Sequence, residues 1–457
     1  MAAAIASRGH DVIGVDVVHQ SVEKLNAGIA PIQETGLQDL ISGNRDRLRA
    51  TTSHEEAIAN SDITFVIVPT PSDERGAFTL QYAQWAFKEI GKALAKKDSY
   101  HLVVLTSTVL PGSTRYGLLP ILEQESRKRC GRDFGLCYSP EFIALGSVIR
   151  DFLNPDFTLI GEFDERSGSV LEQAYASIML NHPPCKRMSL ENAELAKISV
   201  NTFVTMKISF ANMLADLCER IPGGDVDIVT DALGADVRIG RRYLTGALGY
   251  GGPCFPRDNV ALSFLARALG TQADLAEATD VRNRAVAESV LQKIQGYIPK
   301  ASTVAVLGLA YKPASVVVEE SQGIYLAQAL SRAGARVVAY DPLAGENARR
   351  AMPEVIILDS LSDCLSQANV ILVTTPDPVF RDLTPEAVLA GRDDVTVIDF
   401  WRICDRSVQV HPAIKYVATG RGANESVTVA TLATMWNSVG EPLDRRSYAI
   451  SGSGDGA

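Results

Sequence analysis

The chain has 457 residues, 46% hydrophobic and 21% charged, with a formal charge of −10 at neutral pH. That length accommodates two or three domains with a large buried core, and the acidic balance argues against nucleic acid as a partner, since nucleic-acid binders present a net basic face. No apolar run approaches a membrane span, no signal peptide opens the sequence, and seven cysteines without paired spacing suggest neither a disulfide framework nor a metal site, but a reducing cytoplasm.

The first part of the chain alternates strand and helix. Ala2 to Arg8 reads as the remnant of a helix, and Asp11 to Val17, Ile63 to Val68, Leu102 to Thr106 and Phe157 to Gly161 read as strands. Apolar runs of this kind, separated by helical segments, predict a parallel sheet covered on both faces. Asp16 stands near the end of the first of these strands. In a dinucleotide-binding βαβ unit an acid there accepts hydrogen bonds from the adenosine ribose; taken alone, Asp16 reads equally as a strand-end turn residue. The glycine-rich turn of such a unit is not in the sequence, which opens inside its first helix. The first strand and that turn are expected roughly a dozen residues upstream of Met1, so a truncated product of a normal gene is the favoured expectation.

From Ser189 to about Cys218, and again from Asn259 to Ile298, apolar residues recur at helical spacing with no strand between. After residue 299 the alternation resumes, with strands over Thr303 to Leu307, Ala335 to Asp341, Val370 to Thr374 and Val395 to Ile398 and a helix over Gly323 to Arg332. The expected fold is therefore α/β, with two Rossmann-like doubly wound domains joined by a central all-helical region. The boundaries fall at 1–185, 186–298 and 299–440, followed by a flexible tail over 441–457 of disordered composition.

The strongest chemical signal is Gly249-x-Gly251-Gly252-x-Cys254-Phe255-x-Arg257-Asp258. Three glycines permit a tight turn and close approach of backbone to a ligand. They deliver a thiol just ahead of a helix, whose N-terminus favours thiolate, the nucleophilic form. The alternative is a buried cysteine after a structural turn. Lys197 and Asn201 stand four apart on one helix face, where Lys can stabilise an oxyanion and Asn can orient a reacting carbon; by spacing alone they read as solvent-facing. Ser107-Thr108-Val109 and Ser139-Pro140-Glu141-Phe142 follow strands, at the carboxyl edge where parallel sheets bind ligands. Without further context Glu141 reads better as a carboxylate at a helix N-terminus.

These motifs together resemble the UDP-glucose/GDP-mannose dehydrogenase family, nucleotide-sugar 6-dehydrogenases, over almost the full length. The resemblance implies NAD as cofactor and a UDP-sugar as substrate, oxidised from C6 alcohol to carboxylate through an aldehyde, a cysteine thiohemiacetal and a thioester. It implies that Cys254 is the nucleophile, Asp258 the water-orienting acid, Lys197 and Asn201 the catalytic Lys-x-x-x-Asn pair, Thr108 a water-positioning residue and Glu141 an aid to thioester hydrolysis. Asp16, Thr70, Pro71 and Thr108 are implied on the cofactor side. Arg238, Tyr243, Gly251, Lys312 and Arg402, with Lys197 and Asn201, are implied on the substrate side, Lys312 and Arg402 reaching the diphosphate as cations suited to its oxygens. A homodimer or higher homo-oligomer through the central helices is also implied.

The sequence departs from the family at three places. Leu145 replaces a second glutamate four residues after Glu141, while Phe142 matches the glucose branch, so the sugar stays open. Glu319 stands where relatives carry an arginine that contacts the cofactor. The third is the glycine turn. A catalytically impaired nucleotide-sugar-binding relative is therefore kept as an alternative. A two-electron hydroxyacid-type dehydrogenase fits less well, because that class needs no nucleophilic cysteine and lacks a second Rossmann-like domain.

Overall fold

The chain is described by a computed structural model over residues 1–32, 34–143, 146–299, 302–422 and 426–437. Leu145 and the expected tail 441–457 lie outside the described residues.

Strands in the first part are β1 (Val12–Val15), β2 (Leu48–Thr51), β3 (Ile63–Val66), β4 (Leu102–Leu105), β5 (Gly135–Tyr138), β6 (Thr158–Glu162) and β7 (Cys185–Ser189). They form two separate sheets, β1-β2 and β3-β4-β5-β6-β7. In the larger sheet Val103 and Leu105 pack into one core while Leu102 and Val104 pack into another. This is the period-two alternation of a sheet covered on both sides. One feature differs from the all-parallel expectation: β5 and β6 run antiparallel. The pairing of β6 with β7 carries this sheet to Ser189.

The middle is helical. The 31-residue helix Leu190–Arg220 begins at Ser189, whose hydroxyl accepts the Asn192 N–H, a normal N-cap. Helices Val226–Ala235, Phe255–Ala268 and Asp274–Gln295 follow. Ile198 of the long helix packs with Ala261 of the third helix and with Phe78 and Leu110 from the first unit. That contact fixes the loops at the ends of β3 and β4 against the helix that starts at Cys254.

Strands β8 (Thr303–Leu307), β9 (Arg336–Tyr340), β10 (Ile356–Ile357), β11 (Val370–Val373), β12 (Val395–Asp399) and β13 (Ile414–Ala418) make a parallel sheet in the order β10-β9-β8-β11-β12-β13. The order reverses between β8 and β11, as in a doubly wound fold. Two buried carboxylates set its loops. Asp341 accepts the N–H groups of Leu309 and Ala310 on one oxygen and of Leu343 and Ala344 on the other. Asp399 holds the turn after β12 through the N–H groups of Trp401, Arg402 and Cys404. Among the described residues no helix is long and apolar enough to cross a membrane, and no cluster of three His, Cys, Asp or Glu could hold a metal ion.

Candidate active site

The glycine loop is held by two buried asparagines of the central helices. Asn212 donates to the Leu248 carbonyl and accepts the Ala247 N–H. Asn283 accepts the Tyr250 N–H at 2.8 Å and donates to its carbonyl at 3.0 Å. The third unit closes over the loop from outside. The Glu319 carbonyl accepts the Gly252 N–H at 3.0 Å. Gly252 has φ +82°, and a Cβ there would lie 2.6 Å from the Tyr311 ring. A Cβ at Gly251 would overlap the Glu320 carbonyl. The glycines are therefore required by a close approach between units as well as by a turn.

Cys254 caps helix Phe255–Ala268 and is the exposed one of seven free cysteines. The helix N-terminus alone favours thiolate, but the structure reverses that expectation. Surrounding protein, and then Asp258, push the thiol above its ordinary range although the residue as a whole is exposed. Arg257 and Lys197 oppose this, and Glu319 adds to it. Burial, ahead of either carboxylate, works against the helix end.

Lys197, Asn201, Asp258, Cys254 and Glu141 come together around this cap. Asp258 is 1% exposed; its Oδ2 accepts from Asn201 Nδ2 at 2.6 Å, and its Oδ1 lies 3.5 Å from Arg257 Nε. Burial raises Asp258, while Arg257, Asn201 and Lys197 draw it down. Lys197 is buried rather than solvent-facing, donates to the Glu141 carbonyl at 2.5 Å and sits 4.4 Å from the centre of the Phe142 ring. Burial lowers its ammonium, which makes it a ready proton donor. Glu141 lies in the loop after β5, outside any helix, so the helix-terminus reading does not hold. Burial pushes its carboxyl up to about 7, against the pull of the Met1 amino group and Lys197.

Thr108 is half-buried in the loop after β4, and its carbonyl accepts the Thr70 hydroxyl at 2.7 Å. The Thr70 carbonyl in turn accepts from Arg257 at 3.4 Å, and the Pro71 carbonyl closes the next turn by accepting the Thr79 N–H. Glu194, fully buried one turn before Lys197, was not singled out from sequence. It accepts the Gly112 and Thr114 N–H groups at 2.6 and 2.8 Å and so anchors the Thr108 loop to the long helix. A glutamate in a helix carries no local mark of this role; only its spacing from Lys197 hints at the shared face.

The outer residues are placed less uniformly. Tyr243, at φ +64°, meets the Phe255 ring edge-on at 6.4 Å. Lys312 is half-buried, and burial lowers it while Asp151 and Glu34 raise it. Arg238 is exposed and folds back on Asp236. Arg402 departs from expectation. Its buried guanidinium is bidentate to Asp227 at 2.7 and 2.9 Å and donates to the Phe400 and Thr419 carbonyls. Its donors bridge the central helices to the third unit instead of turning towards the Cys254 loop.

The fit to NAD is uneven. Asp16 is exposed at the end of β1, with Oδ1 accepting the Val18 N–H, the contact of a strand-end turn; its carboxylate remains able to meet ribose hydroxyls. Thr70 and Thr108 lie in the loops after β3 and β4, joined by their hydrogen bond. The exposed Asp16 carboxylate is of the kind an adenosine ribose takes. Among the described residues, no glycine turn cradles a pyrophosphate, and β1 and β3 present edges that pair with no common strand.

Comparison with known proteins agrees with this architecture. Residues 1–179 match the NAD binding domain of the UDP-glucose/GDP-mannose dehydrogenase family, 191–285 its central domain and 305–406 its UDP binding domain. The chain is similar to UDP-glucose 6-dehydrogenase AglM of Haloferax volcanii, 39% identical over 407 residues, covering 87% of this chain and 94% of the relative. It is similar to GDP-mannose 6-dehydrogenase of Pseudomonas putida, 32% identical over 87% of this chain and 93% of that one. The solved structure of a UDP-glucose dehydrogenase from Pyrobaculum islandicum superposes with a TM-score of 0.83 at 33% identity, covering 92% and 94% of the two chains.

Proposed function

The chain belongs to the UDP-glucose/GDP-mannose dehydrogenase family of NAD-dependent nucleotide-sugar 6-dehydrogenases, and from that premise we propose that it oxidises a UDP-sugar at C6 to the uronic acid through a thioester on Cys254. The observation that carries this reading is the convergence of Cys254, Lys197, Asn201, Asp258 and Glu141 at one helix cap.

Net, sugar–CH2OH, two NAD+ and water give sugar–COO−, two NADH and three protons. NAD, when bound, supplies the hydride acceptor, on the side of Asp16, Thr70, Pro71 and Thr108. Lys197, with its ammonium lowered by burial, stabilises alkoxide at C6 and the oxyanion of later steps. Loss of the thiol proton lets Sγ add to the aldehyde carbon, giving a thiohemiacetal whose oxidation leaves the thioester. Asn201 fixes Asp258 through the 2.6 Å bond, and Asp258 orients the hydrolytic water together with Thr108. Glu141, raised to about 7, takes a proton from that water as general base. Tyr243, Gly251, Arg238 and Lys312 border the sugar and diphosphate. Assembly as a homodimer is supported by an exposed apolar stripe on the long helix, formed by Phe203, Phe210, Met213 and Leu217 at heptad-like spacing.

The test is Cys254→Ser. This variant is expected to bind UDP-sugar but to form neither a covalent adduct nor acid; acid formation at the wild-type rate would refute the role of the thiol. A second reading, a nucleotide-sugar binder that does not turn over, is favoured by Glu319, which stands against the glycine loop. Calorimetry separates the two: it requires UDP-sugar binding without NAD+ binding.

A further inference from the structure

Asp258 is followed on its helix by Asn259, which takes no part in the chemistry and is 1% exposed. Buried polar side chains keep hydrogen-bond partners, and those of Asn259 lie on two other elements. Its Nδ2 donates to Thr205 Oγ1 at 3.0 Å and to the Tyr250 hydroxyl at 2.9 Å. Thr205 lies on the long helix one turn after Asn201. The Asn201–Asp258 bond at 2.6 Å and the Thr205–Asn259 bond at 3.0 Å are therefore adjacent rungs between the same two helices. Thr205 is itself held, its hydroxyl donating to the Thr202 carbonyl at 2.8 Å. Tyr250 belongs to the glycine loop, where Asn283 fixes its backbone N–H and carbonyl. Its buried ring meets that of Phe255, the neighbour of Cys254, edge-on at 6.2 Å.

We propose that Asn259 is a positioning residue for addition of the thiol: it sets the register between the loop that delivers Cys254 and the helix that carries Lys197 and Asn201. The inference rests on the thioester reading and deepens it. In the step concerned, Sγ bonds to the aldehyde carbon and the π pair of the C=O bond moves to oxygen. The thiol proton ends on that oxygen, giving the thiohemiacetal with no net oxidation. The attacking atom comes from the loop, while Lys197, which stabilises the oxyanion, comes from the long helix. A loop that slides against the helix separates the two, and a misplacement of about 1 Å costs ~100-fold in rate. Hydride transfer from the alcohol does not use Sγ, so the effect falls on the addition.

The test presents the chain, without NAD, with the 6-aldehyde of UDP-glucose labelled with carbon-13 at C6. The wild type should form a thiohemiacetal, identified by NMR and lacking in Cys254→Ser, and its rate is read from protection of Cys254 against a fast thiol reagent. Tyr250→Phe deletes the hydroxyl on the loop side, and Thr205→Val deletes the one on the helix side; each nearly keeps its volume. In both variants the limiting rate of addition should fall roughly tenfold, at an unchanged half-saturating aldehyde concentration. Tyr250→Phe should add nothing on an Asn259→Ala background. A merely structural role would lower the melting temperature and leave the rate per folded molecule unchanged. Addition at the wild-type rate per folded molecule in both variants overturns the inference. No thiohemiacetal in the wild type would instead count against the thioester reading itself.

Discussion

Gly251→Ala tests whether catalysis depends on close docking of the third unit over the nucleophile loop. Gly251 does not have positive φ, so alanine brings no conformational strain of its own. Its Cβ would, however, overlap the Glu320 carbonyl, which is backbone and cannot escape by a rotamer change. That backbone is tied on both sides: Glu319 accepts the Gly252 N–H at 3.0 Å, and Ser321 donates its N–H to Val318 and caps helix Gln322–Arg332. Relief requires the two loops to part by about 1 Å, and a misplacement of that size costs ~100-fold in rate, or about 2.7 kcal/mol of barrier. The global cost of such overpacking is about 1–3 kcal/mol. Initial rates of NADH formation, beside thermal melting, should therefore show kcat down ~100-fold in a folded protein. Gly252→Ala meets the Tyr311 ring at φ +82° and should melt lower still, by the ~1–2 kcal/mol of a left-handed alanine. A Gly251→Ala enzyme with wild-type kcat and melting temperature would refute the docking argument.

Other perturbations separate structure from chemistry. Glu141 titrates near 7 when folded against an ordinary value near 4.5, so between those values the unfolded state has already lost a proton that the folded state retains. Stability should therefore fall as pH rises from about 4.5 to about 7, and urea titrations of Glu141→Gln should lack that part of the slope; identical slopes would count against the shift. Arg402→Ala should lower the melting temperature by breaking the bridge to Asp227 and leave KM for the UDP-sugar near wild type; an unchanged melting temperature with a raised KM would return Arg402 to the diphosphate. Phe210→Asp on the exposed stripe should shift sedimentation from dimer to monomer, and an unchanged sedimentation coefficient would place the interface elsewhere.

Much of this fold was legible because its strands are buried on both faces and so appear as short apolar runs. Thr303–Leu307 and Val370–Val373 are examples, and the helical period from Ser189 onward marked the central region as clearly. The antiparallel turn of β6 left no trace, because a buried strand reads the same in either direction. At the site, the cysteine loop stood out by its glycine motif and Lys197 and Asn201 by a shared helix face, although spacing alone read them as solvent-facing while Lys197 is buried. The ionisation of Cys254 was not legible, since the helix end is local in sequence while the burial that raises the thiol comes from tertiary packing. The contacts of Arg402 were equally hidden: a cation's partner is set by packing, and Asp227 lies 175 positions away. Glu194 acts through the backbone amides of Gly112 and Thr114, which no sequence pattern records.

The central claim is a four-electron oxidation through Cys254, and its most direct measure is the NADH formed per UDP-sugar consumed. Two NADH per sugar are expected, with a uronic acid as product and no free aldehyde. One NADH per sugar, with the aldehyde released, would contradict it.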